Sequence, residues 1–326
     1  MPVTDGRGMT HTLFDTAIIG GGAAGLSAAL TLGRSRRSVI VIDAGEPRNA
    51  RAEGVHAFLT RDGTPPHELL ALARAEVRGY GVEVRDGVAV RVTGSVGAFS
   101  IELADGTSVT ARRVLVAAGV TDELPDIPGL AERFGRDVLH CPYCHGWEVR
   151  DSDIGIVGTS PRAVHQALMF RQLSSIVTLF VHDPLALPSV LDAERLAARG
   201  VAIVVGSIAR VVVEGDALTG IELADGTRHH LDALVVATRV VAHDAALAGL
   251  GIAAAPHPMG MGTQVETTAM GATSVPGVWV AGNLGDASAQ VIAAAASGVA
   301  AGAAINADLI LDDTDAAVAR RALRAG

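Results

Sequence analysis

The sequence predicts an α/β protein of two doubly wound domains, the second inserted in the first. Three observations carry that expectation: strand-like runs alternate with helical stretches, a strand–glycine-loop–helix unit occurs twice, and a seven-residue repeat is followed each time by a buried strand.

Taken in order, the strand-like runs are Thr16–Ile19 and Ser38–Ile42, with a helical stretch from Ala23 to about Arg34 between them. Further runs follow at Val114–Ala117, Ile154–Val157, Ile176–Val181, Val201–Val205, Ala233–Ala237 and Val278–Ala281. Parallel neighbours need long crossovers, and β-rich runs spaced by helices supply them. Ile101-Glu102-Leu103-Ala104-Asp105-Gly106-Thr107 reappears as Ile221-Glu222-Leu223-Ala224-Asp225-Gly226-Thr227. In each copy Asp-Gly reads as a hairpin turn and the alternation before it as a half-buried strand. The strand–loop–helix unit recurs at Ile18–Leu32 and Ile156–Phe170. The last strand and helix, from Pro276 onward, return to the first domain. The expected domains are therefore 1–121 plus 246–326, discontinuous, around an insert at 122–245.

Composition narrows the function. Lys+Arg 26 against Asp+Glu 35 leaves a net charge of −9, which argues against a nucleic-acid partner. No basic stretch precedes an apolar core near the start, and residues 1–13 read as a short disordered tail. The apolar run Val291–Leu311 is rich in alanine and broken by Ser297, Gly298, Gly302, Asn306 and Asp308, so a packed helix is expected there, not a membrane span. Two cysteines in 326 residues suit a reducing cytoplasm.

Gly20-x-Gly22-x-x-Gly25 lies between a strand and a helix, the setting a dinucleotide-binding loop requires. The first glycine permits the tight turn, the second lets backbone approach a pyrophosphate, and the third lets helix pack on sheet. The helix start at Ala23 and Ala24 presents amide donors to the anion. Asp43 closes the next strand 23 residues after Gly20, near the spacing expected of a carboxylate on a ribose hydroxyl; a turn cap is its other reading. With the recurrence of the strand–loop–helix unit at Ile156–Phe170, these features predict two Rossmann-like nucleotide-binding domains of the three-layer ββα type.

Both cysteines fall in Cys141-Pro142-Tyr143-Cys144-His145. A C-x-x-C pair closes a small ring or holds one thiolate ready for attack. Two buried core cysteines at chance spacing are the bland alternative. His140 and His145 flank the pair, and either imidazole could take a proton from an incoming thiol. A zinc site from these four residues has too little chain between ligands to converge. Tyr143 and Trp147 read as substrate-side or core aromatics, Glu148 and Arg150 as a surface pair.

With the Gly20 loop, Asp43 and Cys-Pro-Tyr-Cys-His-Gly-Trp-Glu together, the chain resembles the thioredoxin-reductase-like FAD-dependent disulfide oxidoreductases from about residue 14 to 305. The resemblance implies FAD at the first loop, the dithiol in the second domain, and a homodimer. It implies that Asp286 reaches the flavin side of FAD, that Gly282-Asn283 stands where the family has Gly-Asp, and that the helix start at Gln290-Val291 faces the flavin. Ala44, Gly45, Arg48 and Ala118 are expected along the same cofactor, and His56 at its border. Cys144 would be the flavin-proximal sulfur and Cys141 the interchange sulfur. Within the family, the motif is similar to the dithiol oxidases of the gliotoxin and holomycin type. Thioredoxin reductases proper carry Asp after the second Cys, where this chain has His145.

The second loop reads Gly158-Thr159-Ser160-Pro161-Arg162-Ala163, with Ser160 at the second fingerprint position, where a β-carbon would crowd a pyrophosphate. NADPH-using relatives carry a basic run after the next strand; here Val181-His182-Asp183 stands there, and a carboxylate repels a 2′-phosphate. Asp183 could instead accept a ribose hydroxyl, which leaves NADH open. The resulting expectation is a cytoplasmic dithiol oxidase acting on a small-molecule dithiol with O2 as acceptor, without nucleic acid or membrane partner. The alternative is an NAD(P)H-dependent reductase, and a third reading is a flavin-bearing redox sensor.

Overall fold

A computed structural model of the chain describes residues 2–4 and 10–325; residues 1, 5–9 and 326 fall outside the described residues. The tail expected over 1–13 lies partly outside them. Of the rest, Pro2–Thr4 pairs antiparallel with the start of the strand Thr10–Ile19. The helices are α1 (Ala23–Arg34), α2 (Pro66–Gly79), α3 (Leu130–Arg133), α4 (Pro142–His145), α5 (Arg162–Phe170), α6 (Val190–Ala198) and α7 (Val291–Ala325).

The chain forms two compact units. In the first, Glu83–Asp86, Val39–Asp43, Thr10–Ile19 and Ser108–Val116 are successive neighbours in one sheet, and Val278–Val280 pairs parallel with Ser108–Val116. Alternate residues face opposite sides of a strand, and the burial follows that period. Ile18, Val39, Val41 and Leu115 pack with α1 and α7, whereas Ala17, Ile19, Ile40, Ile42, Val114 and Val116 pack with the antiparallel hairpin Ala89–Ser95/Ala98–Leu103. Sheet, helices and hairpin make the three layers.

The second unit repeats the plan. Ala202–Val205, Ile176–Val181, Asp153–Gly158, Ala233–Val236 and Val138–Leu139 form a parallel sheet. One face packs on α5 and α6, the other on the antiparallel strands Ile208–Glu214 and Ala217–Leu223. The repeated hairpins match bond for bond. Asp105 accepts the Thr107 N–H at 2.8 Å and Asp225 the Thr227 N–H at 2.8 Å, while Gly106 and Gly226 take φ of +82° and +88°. The strands that follow differ. Ser108–Val116 runs unbroken from the hairpin into the parallel sheet, but its counterpart divides into Arg228–His230 and Ala233–Val236. At the break Asp232 accepts the Asp153 N–H at 2.8 Å.

The units depart from the expected boundaries at two places. Residues 51–65 fold with the second unit, and 240–245 with the first. Among the described residues α7 is long and apolar enough to cross a membrane by length and composition, with a mean hydropathy of 1.5. In the structure it packs on α1 within the first unit: Ala301, Ile305 and Leu309 are buried, and a β-carbon at Gly298 would stand 2.0 Å from the Ala24 carbonyl oxygen. Helix axes approach this closely only over small residues.

Candidate active site

In the first unit the loop after Thr10–Ile19 turns at Gly20, whose φ of +103° and 2.2 Å clearance to the Ala117 carbonyl oxygen exclude a β-carbon. Gly22 differs: a β-carbon there meets nothing within 4 Å, so open space lies in front of the loop. Gly22 is also the N-cap of α1, and among the described residues no side chain caps the helix. The amides at Ala23 and Ala24 therefore face that space as donors for an anion. A pyrophosphate fits such a cradle.

Asp43 accepts the Gly21 N–H at 2.9 Å and pairs through its other oxygen with Arg74 of α2. A carboxylate has about four lone-pair sites, so a ribose hydroxyl can still be accepted there. Gly21 and Arg74 are parts of the site that sequence reading missed. Gly21 lies inside the quoted loop, but only the fold shows that a β-carbon on it would strike Asp43. Ala44 and Gly45 are exposed just beyond the strand, and the Arg48 guanidinium reaches the Ala287 carbonyl at 3.5 Å. The Ala118 carbonyl accepts from His243 Nδ1 at 3.0 Å.

The closing segment lies in the same unit. Gly282 has φ of +70° and donates its N–H to the Ser297 hydroxyl at 2.9 Å. The Asn283 amide donates to the carbonyls of Asp286 and Ala289 at 3.1 and 2.8 Å, and Asp286 accepts from the N–H and hydroxyl of Ser288. These bonds hold the turn that leads through Gln290 into α7 at Val291. The Asp286 side chain is exposed, with one oxygen committed to this turn.

The dithiol lies in the second unit. Cys141, in an extended conformation, is the N-cap of α4, and Pro142 occupies the first helical position, which needs no N–H. The single turn brings the Cα atoms of Cys141 and Cys144 to 5.3 Å, and the two sulfurs are joined in a disulfide. Gly146 follows because a β-carbon there would lie 2.3 Å from the Pro142 carbonyl oxygen and 2.4 Å from Leu173.

The flanking histidines have different surroundings. His140 stacks on Phe134 with ring centroids 5.8 Å apart, and its carbonyl accepts from the buried Gln166 amide at 3.0 Å. His145 has a buried Nε2 without a hydrogen-bond partner among the described residues. Burial holds its imidazole below the ordinary histidine value; nearby Glu148 opposes that shift, His56 adds to it, and Glu53 opposes it. Burial thus biases the His145 imidazole toward its neutral form. Among the described residues no three His, Cys, Asp or Glu side chains gather as a metal site.

The residues around the motif divide between solvent-facing side chains and local pairs. Tyr143 and Trp147 are exposed, and neither is a core residue. Arg150 lies over the Trp147 ring at 4.3 Å and does not pair with Glu148, whose partner is His56 at 3.5 Å. His56, expected at the cofactor border, belongs to the second unit beside the dithiol motif. A loop residue can join either unit, and local sequence does not choose.

At the second glycine loop α5 begins after Pro161, whose φ is −56°. Asp183 Oδ1 accepts the Leu185 N–H at 2.8 Å and so caps the short turn Pro184–Ala186. His182 Nδ1 accepts the Ile208 N–H at 2.9 Å. Both side chains at the strand end are thereby engaged in local structure.

Two nucleotide-type folds, an open glycine cradle and a disulfide on a one-turn helix define a disulfide oxidoreductase of the flavin-dependent kind. The chain belongs to the pyridine nucleotide-disulphide oxidoreductase family, whose model matches residues 14–298; membership implies FAD binding. It is 32% identical to thioredoxin reductase tcpT of Claviceps purpurea over 93% of this chain and 96% of that protein. It is 31% identical to thioredoxin reductase sirT of Leptosphaeria maculans, over 90% and 94%. The crystal structure of HlmI is 43% identical, matches 96% of this chain and 98% of its own, and has a TM-score of 0.89.

Proposed function

We propose that the protein is an FAD-dependent dithiol oxidase that closes an intramolecular disulfide in a small dithiol, the electron pair passing through Cys141/Cys144 and FAD to O2, which becomes H2O2. The observation that carries this reading is the Cys141–Cys144 disulfide next in sequence to the half-buried imidazole of His145. The motif's similarity to the gliotoxin- and holomycin-type oxidases supports the direction.

The His145 imidazole takes the proton of the first substrate thiol. The thiolate attacks the Cys141 sulfur, the enzyme S–S bond breaks, and Cys144 leaves as thiolate. The second substrate thiol attacks the substrate sulfur of the mixed disulfide, so cyclised product departs and Cys141 is released as thiolate. FAD, when bound, supplies the two-electron acceptor that returns the dithiol to disulfide. Gly22, Ala23 and Ala24 would hold its pyrophosphate and Asp43 a ribose, while Arg74 fixes the Asp43 carboxylate.

The relatives named thioredoxin reductase favour a second reading, an NAD(P)H-dependent disulfide reductase. Against it, Ser160 replaces a fingerprint glycine and Asp183 stands where a 2′-phosphate needs cations. The domain then serves as a platform for the dithiol. A homodimer is proposed as the assembly, which light scattering reads as twice the 33.2 kDa of one chain.

Anaerobic spectra of the purified holoenzyme decide between the readings. Dithiothreitol should bleach the flavin, and in air it should drive repeated oxygen uptake with one peroxide per disulfide formed. Fast bleaching by NADPH would overturn the oxidase reading in favour of the reductase. A single stoichiometric release of peroxide would instead point to a redox sensor.

A further inference from the structure

The loop from Val55 to Thr64 lies in sequence between elements of the first unit, yet it folds with the second. The Val55 N–H donates to the Thr64 carbonyl and the Gly63 N–H to the Val55 carbonyl, each at 2.8 Å. Inside the loop Asp62 accepts the Ala57 N–H at 2.9 Å. Ala57 and Thr60 are held at φ of +58° and +75°. Left-handed backbone is unfavourable for a β-branched residue such as Thr60, and it persists where the surroundings dictate position.

The side chain that this loop presents is His56. Its Nδ1 lies 3.4 Å from Asp62 and its Nε2 3.5 Å from Glu148. Its ring meets that of His145 edge to face, with centroids 6.2 Å apart and planes at 80°. The proposed thiol chemistry leaves a proton on His145 in every cycle, and that imidazole is half-buried, its Nε2 without a hydrogen-bond partner among the described residues. His56 is the adjoining base, with two carboxylates ready to hold the cation it would become.

We propose that His56 is a positioning residue of the dithiol site: it orients the His145 ring, accepts the proton that His145 takes from the substrate thiol, and passes it to water. The proton moves from thiol to His145, to His56 and to solvent, with no change of electron count. The resulting imidazolium is paired by Asp62 and Glu148, which accounts for the glutamate of Cys-Pro-Tyr-Cys-His-Gly-Trp-Glu. The charged groups around His145 are His56 and Glu148, with Glu53 more weakly felt. This inference rests on the proposed dithiol chemistry.

The test is stopped-flow reduction of the flavin by dithiothreitol in the full-length holoenzyme, without oxygen, across pH. His56→Gln should slow bleaching roughly tenfold near neutral pH with flavin content unchanged, and added imidazole should restore part of the rate. Glu148→Gln should slow it less and change the pH dependence, because the His56 cation loses a partner. A His56→Gln rate and pH profile equal to wild type, or a loss that imidazole does not restore, would overturn the role. Should His56→Gln lose its flavin, the exposed Glu148→Gln carries the test, and an unchanged rate and profile overturn the role equally. Wild-type protein that dithiothreitol fails to bleach would defeat the dithiol reading itself. Bleaching in wild type with an unaffected His56→Gln defeats only the relay.

Discussion

A β-carbon on Gly25 would stand 1.9 Å from the carbonyl oxygen of Gly20. The third glycine of the loop is thus a packing requirement, set by backbone against backbone. Gly22, two residues past that turn, has open space before it. The two glycines therefore separate folding from ligand binding.

Gly25→Ala is expected to misfold the first unit and to yield little flavin-bearing protein. Gly22→Ala should fold with a melting temperature near wild type yet bind FAD about tenfold or more weakly, since its methyl enters the space meant for the pyrophosphate. Flavin titration with thermal unfolding of the apoprotein checks the pair. Equal behaviour of the two variants would contradict the assignment.

Cys144→Ser and Cys141→Ser are both expected to lose dithiol-driven flavin bleaching by at least about a hundredfold while keeping flavin and fold. Anaerobic absorbance after mixing with dithiothreitol measures it. Retained reduction in Cys144→Ser would refute the flavin-proximal role that the family resemblance implies for it.

The pH dependence follows from the direction of the His145 shift. The group works as a base only when neutral, so activity is present above its folded value and falls as pH drops through it. Because burial lowers that value, activity should persist to more acidic pH than an ordinary histidine would allow. His145→Asn should abolish that acid limb and lower the rate by on the order of a hundredfold. The sign for stability is the same. Between the lowered folded value and the ordinary one the unfolded chain binds the extra proton, so this contribution is lost on acidification through that window. Denaturant melts of wild type and His145→Asn at several pH values measure the difference; a wild-type stability rising toward acid in that window relative to the variant would contradict it.

Arg113 is 3% exposed and pairs with Asp308 of α7, with Asp312 further off at 3.4 Å. Removing the partner of a buried cation leaves a charge without compensation. Asp308→Ala should destabilise the protein by about 2 kcal/mol, discounted because Asp308 itself is half-exposed and Asp312 remains. Chemical denaturation measures it, and a change below about 0.5 kcal/mol would show that Asp312 substitutes fully.

Much of the molecule was legible in the chain because its signals are local. The glycine loop, α1 and the repeated Asp-Gly hairpins depend on backbone conformation and on residues a few positions apart. The dithiol needed only three-residue spacing and a proline at the start of a turn. The contacts that shape its surroundings were not legible: Arg74 reaches Asp43 across 31 positions, and Glu148 meets His56 from far along the chain. The divided strand at Asp232 likewise depends on its bond to Asp153.

By itself, then, the sequence determined the two α/β units, the open cradle for an anion and the redox pair, since periodicity, glycine geometry and short spacing act over one or two turns of chain. Only the tertiary structure decided that residues 51–65 join the second unit, that His56 rather than Arg150 takes Glu148, and that the His145 nitrogen is buried. Those outcomes turn on desolvation and on which distant side chains share a surface, quantities that exist only once the chain has closed on itself.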